Sequence, residues 1–182
     1  MNEITRRADA LARGTTDRIL QHAVSTHDAA RLWPGVLMNW PDFHALSDAE
    51  RHRVTAIEAA RKGGSARTLS HTSALAVHRI PMLSPDFTRI HFTSPSQSRK
   101  TKRVKRHQGI LLDDERVTAD GIAVTSLARS ICDVARAGTF EQAVVVLDAG
   151  LRKKVKPVDI ATSIERLQGY TGIDMLRRAN DF

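Results

Sequence analysis

Between Ser94 and His107 the chain places Arg99, Lys100, Lys102, Arg103, Lys105 and Arg106 without a single carboxylate. These six cations account for most of the formal net charge of +8. So dense a run repels itself unless solvent or a polyanion absorbs its field, so any fold must keep it within reach of one or the other. Nucleic acid is the most economical partner, because each neutralised phosphate releases condensed counterions. A solvated, flexible loop that binds nothing satisfies the same electrostatics. If all six cations met phosphates, the log–log salt slope would be about −5, a loss of roughly three orders of magnitude in affinity between 50 and 200 mM salt.

The rest of the chain has to supply a scaffold for that run. Its 182 residues suit one ordinary domain, or a small domain beside a larger one. With 41% apolar residues but only 4% aromatics, the core must be aliphatic, and stacking of bases on exposed rings does not dominate recognition. The single cysteine, Cys132, excludes an internal disulfide and a cysteine zinc site. Apolar runs are much shorter than a membrane span, and no secretory leader pattern opens the chain. The expectation is a cytoplasmic protein with no membrane partner.

Punctuation along the chain predicts an α+β fold in two parts. Residues 1–45 read as a winged helix-turn-helix, and residues 46–182 as a mixed domain with a small antiparallel sheet and packed helices. Ile4 to Gly14 reads as a helix capped by Thr5 and ended by Gly14. A second helix follows, with Thr15 as cap, Asp17 in its first turn, and Ile19, Leu20, Ala23 and Val24 on the inner face. After the turn at Ser25-Thr26-His27-Asp28, Leu32 to Leu37 reads as two short strands around Pro34-Gly35. A generic three-helix cap would give much the same pattern. Ser47 and Glu50 form a capping box for a longer helix that carries Val54 and Ile57 and ends at Gly63-Gly64. A short helix runs from Ser70 to Pro81, and Thr88 to Thr93 alternates as a strand. The basic run then crosses a loop into a second strand, and Asp120-Gly121 makes a tight turn. Three helices close the chain: Ser126 to Ala137, Phe140 to Arg152 behind a Thr139–Gln142 capping box, and one with Pro157 in its first turn.

In such a reader the second helix enters the major groove, with Thr16, Arg18, Gln21 and His22 outward. Arg18 and Gln21 can make paired hydrogen bonds with guanine and adenine edges. Arg6, Arg7 and Arg13, with the six cations of the basic run, would hold phosphates and fix register. The plain alternative is an amphipathic helix showing polar residues to water. His71 and His78 lie two helical turns apart with no third ligand in view, so capping or packing roles are expected and no metal or other cofactor. Arg129 and Asp133 have the spacing of a helix-surface ion pair worth about 0.3 kcal/mol. Cys132 reads as a small buried apolar residue. Asp113-Asp114-Glu115 reads as a solvated turn rather than a magnesium site, because consecutive side chains diverge. No phosphate-binding glycine loop, serine elbow or paired-histidine motif is present, so no enzymatic activity is expected.

Two stretches carry a family likeness. Leu69-Ser70-His71-Thr72-Ser73-Ala74 resembles the serine-histidine-x-serine-alanine signature of actinobacterial proteins akin to AbiEi-type antitoxins. Asp120 to Ala135 resembles that family's second signature, and Glu141, Ala143, Asp148, Ala149 and Leu151 continue the match. The resemblance implies a winged helix-turn-helix on operator double-stranded DNA, a central mixed domain, and a type IV antitoxin or autoregulatory repressor. It also implies a functional link to a nucleotidyltransferase toxin. Many relatives carry a further domain resembling very-short-patch-repair endonucleases, which would begin about where Phe182 lies. The chain departs from the pattern at the Ser25–Asp28 turn, where glycine is usual, and at the wing, where only Arg31 stands as a nearby cation. Two other readings remain: a protein-interaction module whose basic loop docks on an acidic protein, and a non-catalytic remnant of an endonuclease-domain protein.

Overall fold

The computed structural model describes residues 4–63, 67–96 and 98–182. The chain is α+β, with a small three-stranded antiparallel sheet and a larger mixed sheet packed against helices. Its first element differs from expectation. Ile4–Arg6 is a strand, β1, and helix α1 begins only at Arg7 and runs to Ala12. Ile4 is β-branched, as is Thr5, and the two pair with Met38 and Leu37, so an available strand edge outweighs their helical tendency. Thr5 therefore caps nothing. Gly14, at φ +88°, turns the chain into α2 (Asp17–Ser25), whose cap is Thr16 rather than Thr15: Thr16 Oγ1 accepts from the Ile19 amide. Strands β2 (Ala29–Trp33) and β3 (Val36–Asn39) form the wing, and the sheet order is β1-β3-β2. Gly35 needs to be glycine in the wing turn. It sits at φ +72°, and a Cβ there would come within 2.9 Å of Lys62 Nζ, which donates to the Pro34 carbonyl. Leu32, Val36 and Met38 form a small core with Ile4, Phe43 and Val54. Ile19 is not on the inner face of α2; it is 54% exposed.

Helix α3 (Trp40–Ala45) was not anticipated, although Asn39 caps it and Pro41 occupies its first turn. Helix α4 (Asp48–Gly63) starts at the expected capping box: Ser47 Oγ accepts from the Glu50 amide at 3.3 Å, and the Glu50 carboxylate accepts from the Ser47 amide at 3.0 Å. The stop expected at Gly64 lies outside the described residues. The second sheet comprises β4 (Thr68–Leu69), β5 (Ile90–Ser94), β6 (Arg99–Lys100), β7 (Val104–Gln108), β8 (Arg116–Ala119) and β9 (Ile122–Thr125), ordered β6-β7-β5-β4-β9-β8. Strand β5 is buried along its whole length rather than alternating, because neighbours flank it and helices cover it. Helix α5 (His71–Val77) bridges two cores. One lies between α4 and the sheet, built on Ala56, Ile57, Leu69, Phe92 and Val124. The other joins α5 to α6 (Leu127–Ala137), α7 (Phe140–Arg152), α8 (Pro157–Arg166) and α9 (Ile173–Asn180), through Leu75, Ile131, Leu147 and Leu176. No described helix is long and apolar enough to cross a membrane.

Candidate nucleic-acid interface

Helix α2 projects from the small unit with no fully buried residue. Arg18, Gln21 and His22 are exposed, and Ile19 stands among them, an apolar contact suited to a thymine methyl. Thr16 is exposed too, but its hydroxyl is already engaged at the helix start. The flanking arginines divide. Arg7 makes two hydrogen bonds to Asp17, at 2.7 and 2.6 Å, tying the starts of α1 and α2 together. Arg6 does the same to Glu58, at 3.1 and 2.8 Å, and so fastens the small unit to α4. Burial pushes the Glu58 carboxyl up, but the bonds from Arg6 and Arg61 outweigh it and hold it below the usual carboxylate range. Arg6 and Arg7 are thus committed to internal ion pairs, while Arg13 is exposed.

The basic run folds into the hairpin β6–β7 at one edge of the large sheet. Its antiparallel register sets Arg99 opposite Arg106 and Lys100 opposite Lys105. Like charges directly across a ladder destabilise it. Among the described residues no carboxylate lies within ion-pair distance of any of the six cations. The pleat sends Arg99 and Arg106 to one face and Lys100 and Lys105 to the other, with Lys102 and Arg103 in the turn. Arg103 reaches back to the wing: its guanidinium lies 4.5 Å from the centre of the Trp33 ring and donates to the Leu32 carbonyl at 2.6 Å. Burial, and then the charge of Arg31, lower its pKa from the ordinary guanidinium value. Arg31, Arg51 and Arg103 line an open cleft of about 490 Å³ between wing, α4 and β5.

A buried charged network ties α6 to the turn that precedes β8. Glu115 is 3% exposed and accepts from Arg129 at 3.0 Å; Arg129 also donates to Asp133 at 3.0 Å, and Asp133 accepts from Arg136 at 3.0 Å. Two sequence expectations are corrected here. The acidic triplet is not a solvated turn throughout, because the single helical turn Asp113–Glu115 points Glu115 inward to Arg129 of α6 while Asp114 meets Arg166 outside. Arg129–Asp133 is not a helix-surface pair: both are at least 96% buried, so each charge needs the other.

His71 sits beside this network, at φ +52°, a left-handed conformation unusual for a residue with a side chain. Its ring stacks on His107, centroids 3.6 Å apart, and His107 Nε2 lies 3.2 Å from His91 Nδ1. Burial pulls all three imidazoles down, His91 to about 4 and His107 to about 2, with mutual repulsion and Lys105 adding to the effect. His78 is not part of the group and bonds the Thr125 carbonyl at 2.8 Å. The sequence reading missed His91 and His107. The parallel register of β5 and β7 that sets His107 beside Thr93, and so near His91, is a long-range pairing with no local signal. Cys132 is fully buried as expected, and burial pushes its thiol up to about 12.

The chain matches no protein-family model, and no curated protein matches it in sequence.

Proposed function

We propose that the protein is a non-enzymatic, double-stranded-DNA-binding regulator, with α2 reading base edges and the β6–β7 hairpin gripping phosphates. One observation carries the reading: the hairpin sets cation opposite cation in register, with no carboxylate among the described residues paired to them. Such a ladder is stabilised when phosphates lie against it. The exposed row of Arg18, Ile19, Gln21 and His22 on a helix that follows a tight turn supports base reading by the same molecule. The resemblance to AbiEi-type antitoxins, drawn from Ser70-His71 and Asp120 to Ala135, adds the finer proposal of an autoregulatory type IV antitoxin. Its functional counterpart would then be a nucleotidyltransferase toxin, and its site of action the cytoplasm.

Because the hairpin's cations point to both faces, one duplex meets about four of the six, for a log–log salt slope of about −3.6 and a roughly hundredfold loss between 50 and 200 mM salt. Fluorescence anisotropy with a duplex from upstream of the protein's own gene, beside a scrambled duplex, measures this. Changing Lys100, Lys102 and Lys105 together to serine is expected to weaken both complexes more than tenfold, a threshold of about 1.4 kcal/mol. Changing Arg18 and Gln21 to alanine is expected to erase the preference for the native duplex. Binding that ignores salt overturns the phosphate grip. A second reading, a protein-docking module, is favoured by the groove at α7 and α8, where Leu151, Val158 and Phe182 are 52, 63 and 88% exposed.

A further inference from the structure

We propose that His71, His91 and His107 form a binding site for one divalent transition-metal ion of the zinc class. The three residues come from different elements, the start of α5, the second position of β5 and the fourth position of β7, and one nitrogen from each lies within 4.8 Å of the others. A zinc ion bound at 2.0–2.1 Å in tetrahedral geometry sets neighbouring ligand nitrogens about 3.3 Å apart. His91 Nδ1 and His107 Nε2 already stand at 3.2 Å. To join them as a ligand, the His71 ring must turn off the face of His107, on which it stacks with centroids 3.6 Å apart. In the stacked orientation its Nδ1 shares a 3.0 Å hydrogen bond with Ser70 Oγ, which leaves Nε2 as the nitrogen for a metal. The remaining nitrogen, Nε2, faces inward, 3.9 Å from Asp133. The guanidinium of Arg136 is 3.5 Å from that nitrogen, but two hydrogen bonds commit it to Asp133; Asp133 and Glu115 offset Arg136 and Arg129, and Lys105 remains as a cation facing the site.

Three imidazoles with no thiolate suit zinc, nickel, cobalt or copper, and they suit magnesium or calcium poorly. His71 and His91 also line a cavity of about 260 Å³ whose other lining residues include Asp86 and Lys105, space enough for a water as fourth ligand. The left-handed backbone at His71 fits a residue whose direction is set by the site. The rival account is a stack of neutral imidazoles that binds nothing. It leaves unexplained why three histidines from three elements converge beside a cavity.

The full chain, stripped with chelator, is titrated with Zn²⁺ by calorimetry and with Co²⁺ by visible absorption at pH 7.5. Expected are one equivalent bound with a Kd of roughly 10 µM or tighter, a cobalt spectrum of tetrahedral intensity, and a higher Tm with zinc. His91→Ala and His107→Ala are each expected to weaken zinc at least about 100-fold. His44→Ala, at an exposed position, is expected to leave affinity unaltered. Should a ligand variant fail to fold, the wild-type imidazole nitrogen resonances decide. Zinc is expected to shift His71, His91 and His107 and to leave the other five of the eight histidines in place. No saturable binding, or shifts confined to other histidines, overturns the proposal.

Discussion

His52 shares a 2.9 Å hydrogen bond with Ser73 Oγ, stacks on Phe87 with ring centres 4.6 Å apart, and is 5% exposed. Burial lowers its pKa to about 4, against the smaller opposing pull of the Phe87 backbone and Asp86. The unfolded chain takes up this proton near pH 6.5, whereas the folded one does so only near 4. Between those values the unfolded state holds more protons, so stability falls as the pH drops. His52 and His91 each add a slope approaching about 1.4 kcal/mol per pH unit in that window. Urea unfolding with chelator present, from pH 7.5 to 4.5, is expected to show midpoints that hold above 6.5 and decline steadily below it. A flat profile would mean that these rings are already charged in the folded protein. At this scale the sequence told little. Arg129–Asp133 was legible as a spacing, but whether that spacing faces water or core depends on Glu115 arriving from a turn elsewhere in the chain.

Among the elements, those whose ends carry their own chemistry were readable: α4 from Ser47 and Glu50, α7 from Thr139 and Gln142, and the β8–β9 turn from Asp120-Gly121. The missed ones draw on distant partners. Strand β1 exists because β3 offers an edge, and the two-residue β4 because β5 and β9 flank it. Helix α9 follows Gly172, where a Cβ would stand 1.9 Å from the Arg136 carbonyl, a close approach that no local pattern announces. The hairpin β6–β7 permits a test in which stability and binding move in opposite directions. Lys100→Glu replaces a repulsive cross-strand pair with Lys105 by an attractive one. It is expected to stabilise the fold by about 0.2–1 kcal/mol in denaturant titrations. The same change removes a phosphate contact and adds a repulsive charge, so DNA affinity is expected to fall more than tenfold, a threshold of about 1.4 kcal/mol. Were stability to drop along with binding, the repulsion across the hairpin would not be the feature that a polyanion relieves.

Across the whole molecule, the boundary expected near residue 45 falls between α3 and α4, and side chains stitch the two sides together there. Arg6 crosses to Glu58, Lys62 to the Pro34 carbonyl, and Arg103 to the Leu32 carbonyl and the Trp33 ring. The last of these connects the two surfaces proposed to touch DNA, the small unit that carries α2 and the hairpin that carries the cations. When two binding surfaces are held rigidly, the second meets the ligand at high effective concentration; a loosened tether lowers it. Arg103→Ala removes the stack and the hydrogen bond without touching α2 or the other five cations. A contact worth one phosphate changes the log–log salt slope by only about 0.9. The expected result is therefore a slope less negative by about that amount, together with an affinity loss well beyond tenfold at 100 mM salt, more than about 1.4 kcal/mol. Arg103→Lys keeps the charge but not the planar donor that lies over Trp33, and it is expected to recover the slope while leaving most of the affinity loss. If lysine restores the affinity in full, Arg103 serves only as a point charge, and the wing and the hairpin engage DNA independently.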